Sequence, residues 1–296
     1  MAGVFQKEKV RCSQPIELSG LQCNHEEADS RIILHVSLST SGSIVVFARD
    51  TDILVLLLAH HRSLRGKHIY MSAGKNIYRN IGEIIAALDP FILDSLLIFH
   101  SLTGCDSTSF FYNIGKVSAY RILKDHPKML SNISELPHLT NYAEELLEKF
   151  VCLMHGQLGL MYGSLAESVD GIRVRMLLTA SKPELMPQTS DALKFHFQRA
   201  FYQARVWKCA TQSHPELPNP TAEGSGWTEN DGEVKPITRL KDVIPKACVE
   251  ILSCGTCTTG CISQRCRCIK AGLHCTALCH PKLPPQVSKN CLEKLC

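Results

Sequence analysis

The chain of 296 residues has no long apolar run. The apolar stretch over residues 53–59 is only seven residues long. A helix needs about 20 to cross a bilayer, so no membrane partner is expected. The opening residues, MAGVFQKEKVRC, lack the apolar core of a signal peptide. No internal repeat is visible. These absences lead to the expectation of a soluble, intracellular protein. Cysteine is scarce over most of the chain, and net charge is missing there. Only five of the 15 cysteines lie in residues 1–247, where 26 basic residues balance 26 acidic ones. With 45% hydrophobic and 20% charged residues, the composition is that of an ordinary globular protein of one large or two smaller domains.

What the body lacks, the tail concentrates. Residues 248–296 hold ten cysteines, six bases (Arg265, Arg267, Lys270, Lys282, Lys289, Lys294) and two acids (Glu250, Glu293). That is +4, the net charge of the whole chain, so attraction to a polyanion should begin at the tail. Dense cysteine in an intracellular chain points to metal before disulfides.

Apolar patterning predicts alternating strands and helices, hence an α/β fold with a parallel sheet. A helix is expected over residues 24–39, with Asn24 as cap and Glu27 at the capping-box spacing. Residues 42–49 read as a strand, apolar on both faces over 44–47, and 53–61 as a buried helix. A weakly alternating strand over 67–74, a helix over 78–90 and an apolar helix over 91–104 follow. Helical patterns then cover 141–156 and 190–210. The Pro-, Gly- and Ser-rich stretch 211–245 reads as a flexible linker. The expected division is a leader or remnant over 1–23, a core with helical extension over 24–208, a linker over 209–247 and a cysteine-rich module over 248–296.

Carboxylates recur where a parallel sheet gathers its ligands, at the carboxyl ends of strands. Asp50 and Asp52 stand at one such end. Glu26, Glu27 and Asp29 belong to the preceding helix, and Asp106 follows another apolar run. Carboxylates converging in low dielectric repel one another, and divalent cations remove that repulsion. Plainer roles exist for each. Asp50 suits a helix cap, Glu27 a capping box, and residues two apart on a regular helix point in different directions. His25, His35, His60, His61 and His100 show no metal spacing. His60 and His61 are expected at a helix C-terminus, where partial positive charge suits the dipole. The aromatics over 195–207 read as core, and Cys105 as a small buried hydrophobe.

The motifs EAD (27–29), VVFARDTDILVLL (45–57) and LTGCDSTSFFYNIGKVSAYRIL (102–123) together resemble the PIN-like nucleases, above all the flap endonucleases and XPG-type nucleases. Asn113, Ile114, Gly115, Ala119 and Leu123 match that family's helix–hairpin, with Asn113 in place of a glycine. Asn tolerates the left-handed conformation this position needs. The resemblance spans roughly residues 24–125. It implies Mg2+ or Mn2+ held by Glu27, Asp29, Asp50, Asp52 and Asp106, with Asp50, Asp52 and Asp106 catalytic. It also implies a DNA phosphate at Gly115, Lys116 and the amides that follow. Two departures stand out. The family's first strand carries a central aspartate, and residues 12–23 contain none. Ser30 stands where bacterial members have a further aspartate. A partial copy of a longer protein, with a retained fold and lost activity, is therefore the alternative.

The tail spacing C-x2-C-x3-C-x4-C-x-C-x6-C-x3-C suits thiolates bridging zinc, which would supply most of that segment's folding free energy. The run RCRCIKAGLHCTALC resembles the tesmin-like CXC domain, a DNA-binding zinc module in which nine cysteines hold three zinc ions. The resemblance assigns zinc to Cys254, Cys257, Cys261, Cys266, Cys268, Cys275 and Cys279. Cys291 completes that set, and Cys296, Cys248 or His280 fills the ninth place. Arg265 stands where the family has a minor-groove aromatic. Arg265, Arg267 and Lys270 are the expected phosphate contacts. The pairing of the two modules is of the kind found in mobile-element-derived proteins, and DNA as partner implies the nucleus.

Overall fold

The computed structural model describes residues 19–156, 168–178 and 183–241, together with Lys270. Within them the fold is mixed α/β. Helix α1 (Ala28–Leu38) leads into strand β1 (Ser43–Val46), helix α2 (Thr51–Ala59) and strand β2 (His68–Gly74). β1 and β2 run parallel with Ser43 opposite His68 and Val46 opposite Met71. Strand β3 (Ile77–Asn80) then returns antiparallel to β2, so the sheet order is β1-β2-β3. The expected parallel sheet is thus one parallel pair with an antiparallel edge.

The helix expected over 78–90 divides at Asn80. Residues 77–80 are β3, and the Asn80 side chain accepts the Gly82 N–H at 3.0 Å to cap α3 (Ile81–Ala87). An Asn that caps the following helix lets one short stretch serve as strand and helix start. Asn24 does not cap α1. Its backbone N–H donates to Ser213 O at 3.1 Å, and the N-cap residue is Glu27, which makes no side-chain cap bond. β1 is also not buried on both faces. Ile44 and Val46 turn inward, whereas Val45 is 45% exposed, the two-residue alternation of a half-buried strand.

Helix α4 (Pro90–Leu102) is the spine. Asp89 caps it by accepting the Phe91 N–H at 2.8 Å, and Pro90 occupies the first turn, where a missing N–H costs nothing. It packs against α2 and against α8 (Ser190–Lys208). Buried Ser95 and Ser101 return their hydroxyls to the carbonyls of Phe91 and Leu97, so neither hydroxyl is stranded. Helices α5 (Lys116–Asp125), α6 (Asn141–Gly156), α7 (Val169–Leu178) and α8 (Ser190–Lys208) complete the layer. Phe197, Phe201 and Trp207 of α8 are buried, which bears out their reading as core.

The stretch expected as flexible linker is tied down as far as Lys241. It forms a hairpin of β4 (Trp227–Asn230) and β5 (Glu233–Pro236). Arg199 of α8 donates to Gly226 O at 3.1 Å and Ile237 O at 2.6 Å, and Asp191 accepts the backbone N–H groups of Leu240 and Lys241. Polar composition suggested solvation, but two α8 side chains satisfy this backbone instead. No described helix is long and apolar enough to cross a membrane.

Candidate functional site

Four segments meet at a cavity of about 310 Å³, lined by Glu27, Ala28, Asp29, Asp52, Asp106, Ser107 and Trp207. The four acids arrive by three routes. Glu27 and Asp29 sit at the start of α1, Asp52 in the first turn of α2, and Asp106 in the turn after α4. That turn is set by Gly104, whose φ of +107° suits glycine. A Cβ there would also stand 2.8 Å from the Cβ of Phe110.

The acids affect one another. Burial first, then the charges of Asp50, Asp52, Glu27 and Asp106, raise the Asp29 pKa above its ordinary value. Asp52 moves the other way. Its Oδ1 lies 2.7 Å from His100 Nε2, and this hydrogen bond lowers its pKa against the opposing effect of burial. Asp50 is an exposed helix cap, accepting the Asp52 N–H at 3.0 Å. The capping role of Asp50 is therefore realised, and its charge still reaches Asp29.

Protein donors hold part of the acidic set. Gln203 Nε2 donates to Glu27 Oε1 at 3.2 Å and Trp207 Nε1 donates to Glu27 Oε2 at 3.0 Å. The Ser107 hydroxyl donates to Gln203 Oε1 at 2.9 Å, which links the Asp106 turn to α8. Among the described residues, no group of three or more His, Cys, Asp or Glu side chains is arranged to grip one ion. The donor chemistry suits a hard divalent cation, since the cavity offers oxygen ligands from four carboxylates. The residues fit such an ion in kind, and binding it requires them to draw together.

Lys116, expected to contact phosphate, points inward. Its Nζ lies 2.8 Å from His100 Nδ1. The imidazole thus stands between the Asp52 carboxylate and the Lys116 amine, whose Nζ also lies 3.2 Å from Nε2. Burial lowers the Lys116 pKa, opposed by the charges of Asp52, Cys105, Asp106 and Asp50. Gly115 is the N-cap of α5 at φ −77°, and a Cβ there would meet nothing within 4 Å. Asn113 has φ 59°, the left-handed conformation expected of it.

Sequence reasoning missed His100, Gln203 and Trp207. His100 was passed over for lack of metal spacing, yet it is 2% exposed and packs against the Trp207 ring with centroids 5.6 Å apart. An imidazole in a helix whose other central residues are mostly apolar was its signal. Gln203 and Trp207 are four residues apart on α8 and so share a face. His60 is the C-cap of α2, as expected, and His61 Nδ1 lies 3.0 Å from Leu58 O in its last turn. His60 is buried, its Nε2 meets Trp207 O at 2.9 Å, and burial lowers its pKa, opposed by that hydrogen bond. Cys105 is half-buried, with its Sγ 3.1 Å from the Thr108 hydroxyl. Cys254, Cys257, Cys261, Cys266, Cys268, Cys275, Cys279, Cys291, Arg265 and Arg267 lie outside the described residues, and Lys270 is exposed. No protein-family model, curated protein or solved structure matches the chain.

Proposed function

We propose that the chain is a nucleic-acid-binding protein with a PIN-like, flap-endonuclease type of core that hydrolyses phosphodiesters with Mg2+ or Mn2+. The reading rests on one observation: four carboxylates from three separate segments line a single cavity. Asp29, Asp52 and Asp106, with Glu27, would hold the cation, and Asp50, which is not among the lining residues, adds negative charge that reaches Asp29. A divalent cation there supplies neutralisation of the carboxylates and a more acidic water. The chain's own residues do the positioning. His100 fixes the rotamer of Asp52, and Gln203 and Trp207 fix Glu27. Gly115 leaves the start of α5 unobstructed for a phosphate. The cysteine-rich tail would hold zinc and add cationic contacts to DNA, which places the protein's work in the nucleus.

A second reading is a DNA-binding protein of mobile-element type that no longer cleaves. Glu27 and Asp52 already accept bonds from protein donors, and the described acids are not gathered for an ion, which favours it. The test is cleavage of fluorescent flap and single-stranded DNA in Mn2+ by wild type and by Asp50→Asn/Asp52→Asn, with binding measured in parallel. Cleavage by wild type alone supports the enzyme. Binding by both with cleavage by neither supports the second reading.

A further inference from the structure

The eight residues over 110–117 leave three large apolar side chains in water. Phe110 is 73% exposed, Tyr112 60% and Val117 70%. A loose loop would explain that, but this segment is anchored. Phe111 and Ile114, which alternate with the exposed rings, are buried at 5% and 9% exposure. Phe111 packs edge-on against His155 and His196, with ring centroids 6.1 Å and 5.3 Å away. Behind Phe110 the chain presses on Gly104, where the Phe110 Cα would stand 2.9 Å from a Cβ. The backbone thus presents Phe110 and Tyr112 outward on a fixed base.

Exposed apolar area of this kind forgoes the stabilisation that burial brings, which marks an interaction surface. Its surroundings identify the partner's chemistry. Val117, Arg121 and Lys124 follow the four- and three-residue spacing of one helix face, and all three are exposed. Exposed rings followed along the next helix by exposed cations suit a polymer that combines flat bases with anionic links. A covering protein helix or strand would use the rings and leave the cations idle. Phe110 is also only four residues from Asp106. Four extended residues span at most about 14 Å, so a base resting on Phe110 has its phosphates near the carboxylate cavity. Bases in a duplex hide their faces in the stack, and only unpaired bases can use these rings.

We infer that Phe110 and Tyr112, with Arg121 and Lys124 along α5, form a stacking surface for unpaired bases of a single strand leading to the carboxylate cavity. The inference rests on the nuclease-type reading of that cavity, and the experiment separates the two. The full chain carrying Asp50→Asn/Asp52→Asn is titrated by fluorescence anisotropy against a 5′-fluorescein single-stranded DNA of about 20 nucleotides and against the same sequence as a blunt duplex. Phe110→Ala/Tyr112→Ala and Phe110→Leu/Tyr112→Leu are added to that background, and urea midpoints verify folding. The expected result is roughly tenfold weaker single-strand binding for both double replacements, because leucine keeps apolar area without a stacking face, with duplex binding changed less than about twofold. Equal loss on both DNAs overturns the inference. So does unchanged single-strand binding, including the case in which sedimentation shows that the replacements dissolve a dimer. Selective single-strand loss without cleavage by the wild type sustains the surface and defeats the hydrolytic reading. Wild-type cleavage with no selective loss does the reverse.

Discussion

His100 Nε2 lies 2.7 Å from Asp52 Oδ1 across 48 residues of sequence, and the same ring meets Lys116 Nζ through Nδ1 at 2.8 Å. One buried imidazole on α4 therefore ties α2 to α5. His100→Ala strands an inward-facing ammonium and frees a carboxylate. Hydrogen bonds to charged groups contribute about 1.5–3 kcal/mol each, so a stability loss of about 2–4 kcal/mol is expected by urea denaturation. In a double-mutant cycle with Asp52→Asn the coupling should exceed about 0.5 kcal/mol. Additive losses would show that the 2.7 Å contact contributes nothing.

Gly104 and Gly115 make opposite predictions although both sit in the same motif. Gly104 has φ +107° and no room for a Cβ against the Phe110 backbone. Gly104→Ala should cost about 2–4 kcal/mol and displace the turn bearing Asp106. Gly115 has φ −77° and open space around its missing side chain. Gly115→Ala should leave the urea midpoint within about 0.5 kcal/mol of wild type while weakening duplex DNA binding, measured by anisotropy. If Gly115→Ala binds DNA as wild type does, phosphate does not approach that amide.

How much of this was legible in the sequence depended on the range of the interaction involved. Asn113 could be read as left-handed because that preference is settled by the residue itself, whereas Pro90, read as the end of one helix, opens the next with Asp89 as its cap. The convergence of Glu27, Asp29, Asp52 and Asp106 was legible through the order of the motifs. What could not be read was the use made of side chains by distant partners. Asn24 and Glu27 form a good capping box on paper. Ser213 claims the first, and Gln203 and Trp207 claim the second, from more than 170 residues away. Residues 211–241 read as linker because their polarity is real, while the partners of their backbone lie on α8. The division at Asn80 failed for a smaller reason, since Tyr78 to Leu88 carries apolar spacing that either strand or helix accommodates.

The tail makes a prediction that needs no contact with the core. If its thiolates hold zinc, Cys266→Ser/Cys268→Ser should lower the zinc content of the purified chain, read by elemental analysis. It should also reduce DNA affinity most at low salt, because Arg265, Arg267 and Lys270 would lose their fixed arrangement. The urea midpoint of the core should stay within about 0.5 kcal/mol. Unchanged zinc content would remove the zinc assignment. Reduced zinc with unchanged affinity would leave the tail a metal-holding segment without a DNA role.

Acid sensitivity follows from two histidines that flank Phe111. His155 and His196 are 3% and 1% exposed, and burial pushes both down to about 4 from 6.5. In the unfolded chain they take up protons near pH 6.5, while the folded chain resists until about pH 4. Between those values the unfolded state binds more protons, so stability falls as pH falls, by about 3 kcal/mol for each histidine across the window. Above pH 6.5 the two contribute no slope. Urea midpoints at pH 7.5, 6, 5 and 4.5 should therefore be flat at first and then drop steeply. His155→Leu should remove about half of that drop, whatever it does to stability at pH 7.5. A pH profile for His155→Leu that runs parallel to wild type would show that His155 is already protonated, or solvated, in the folded chain.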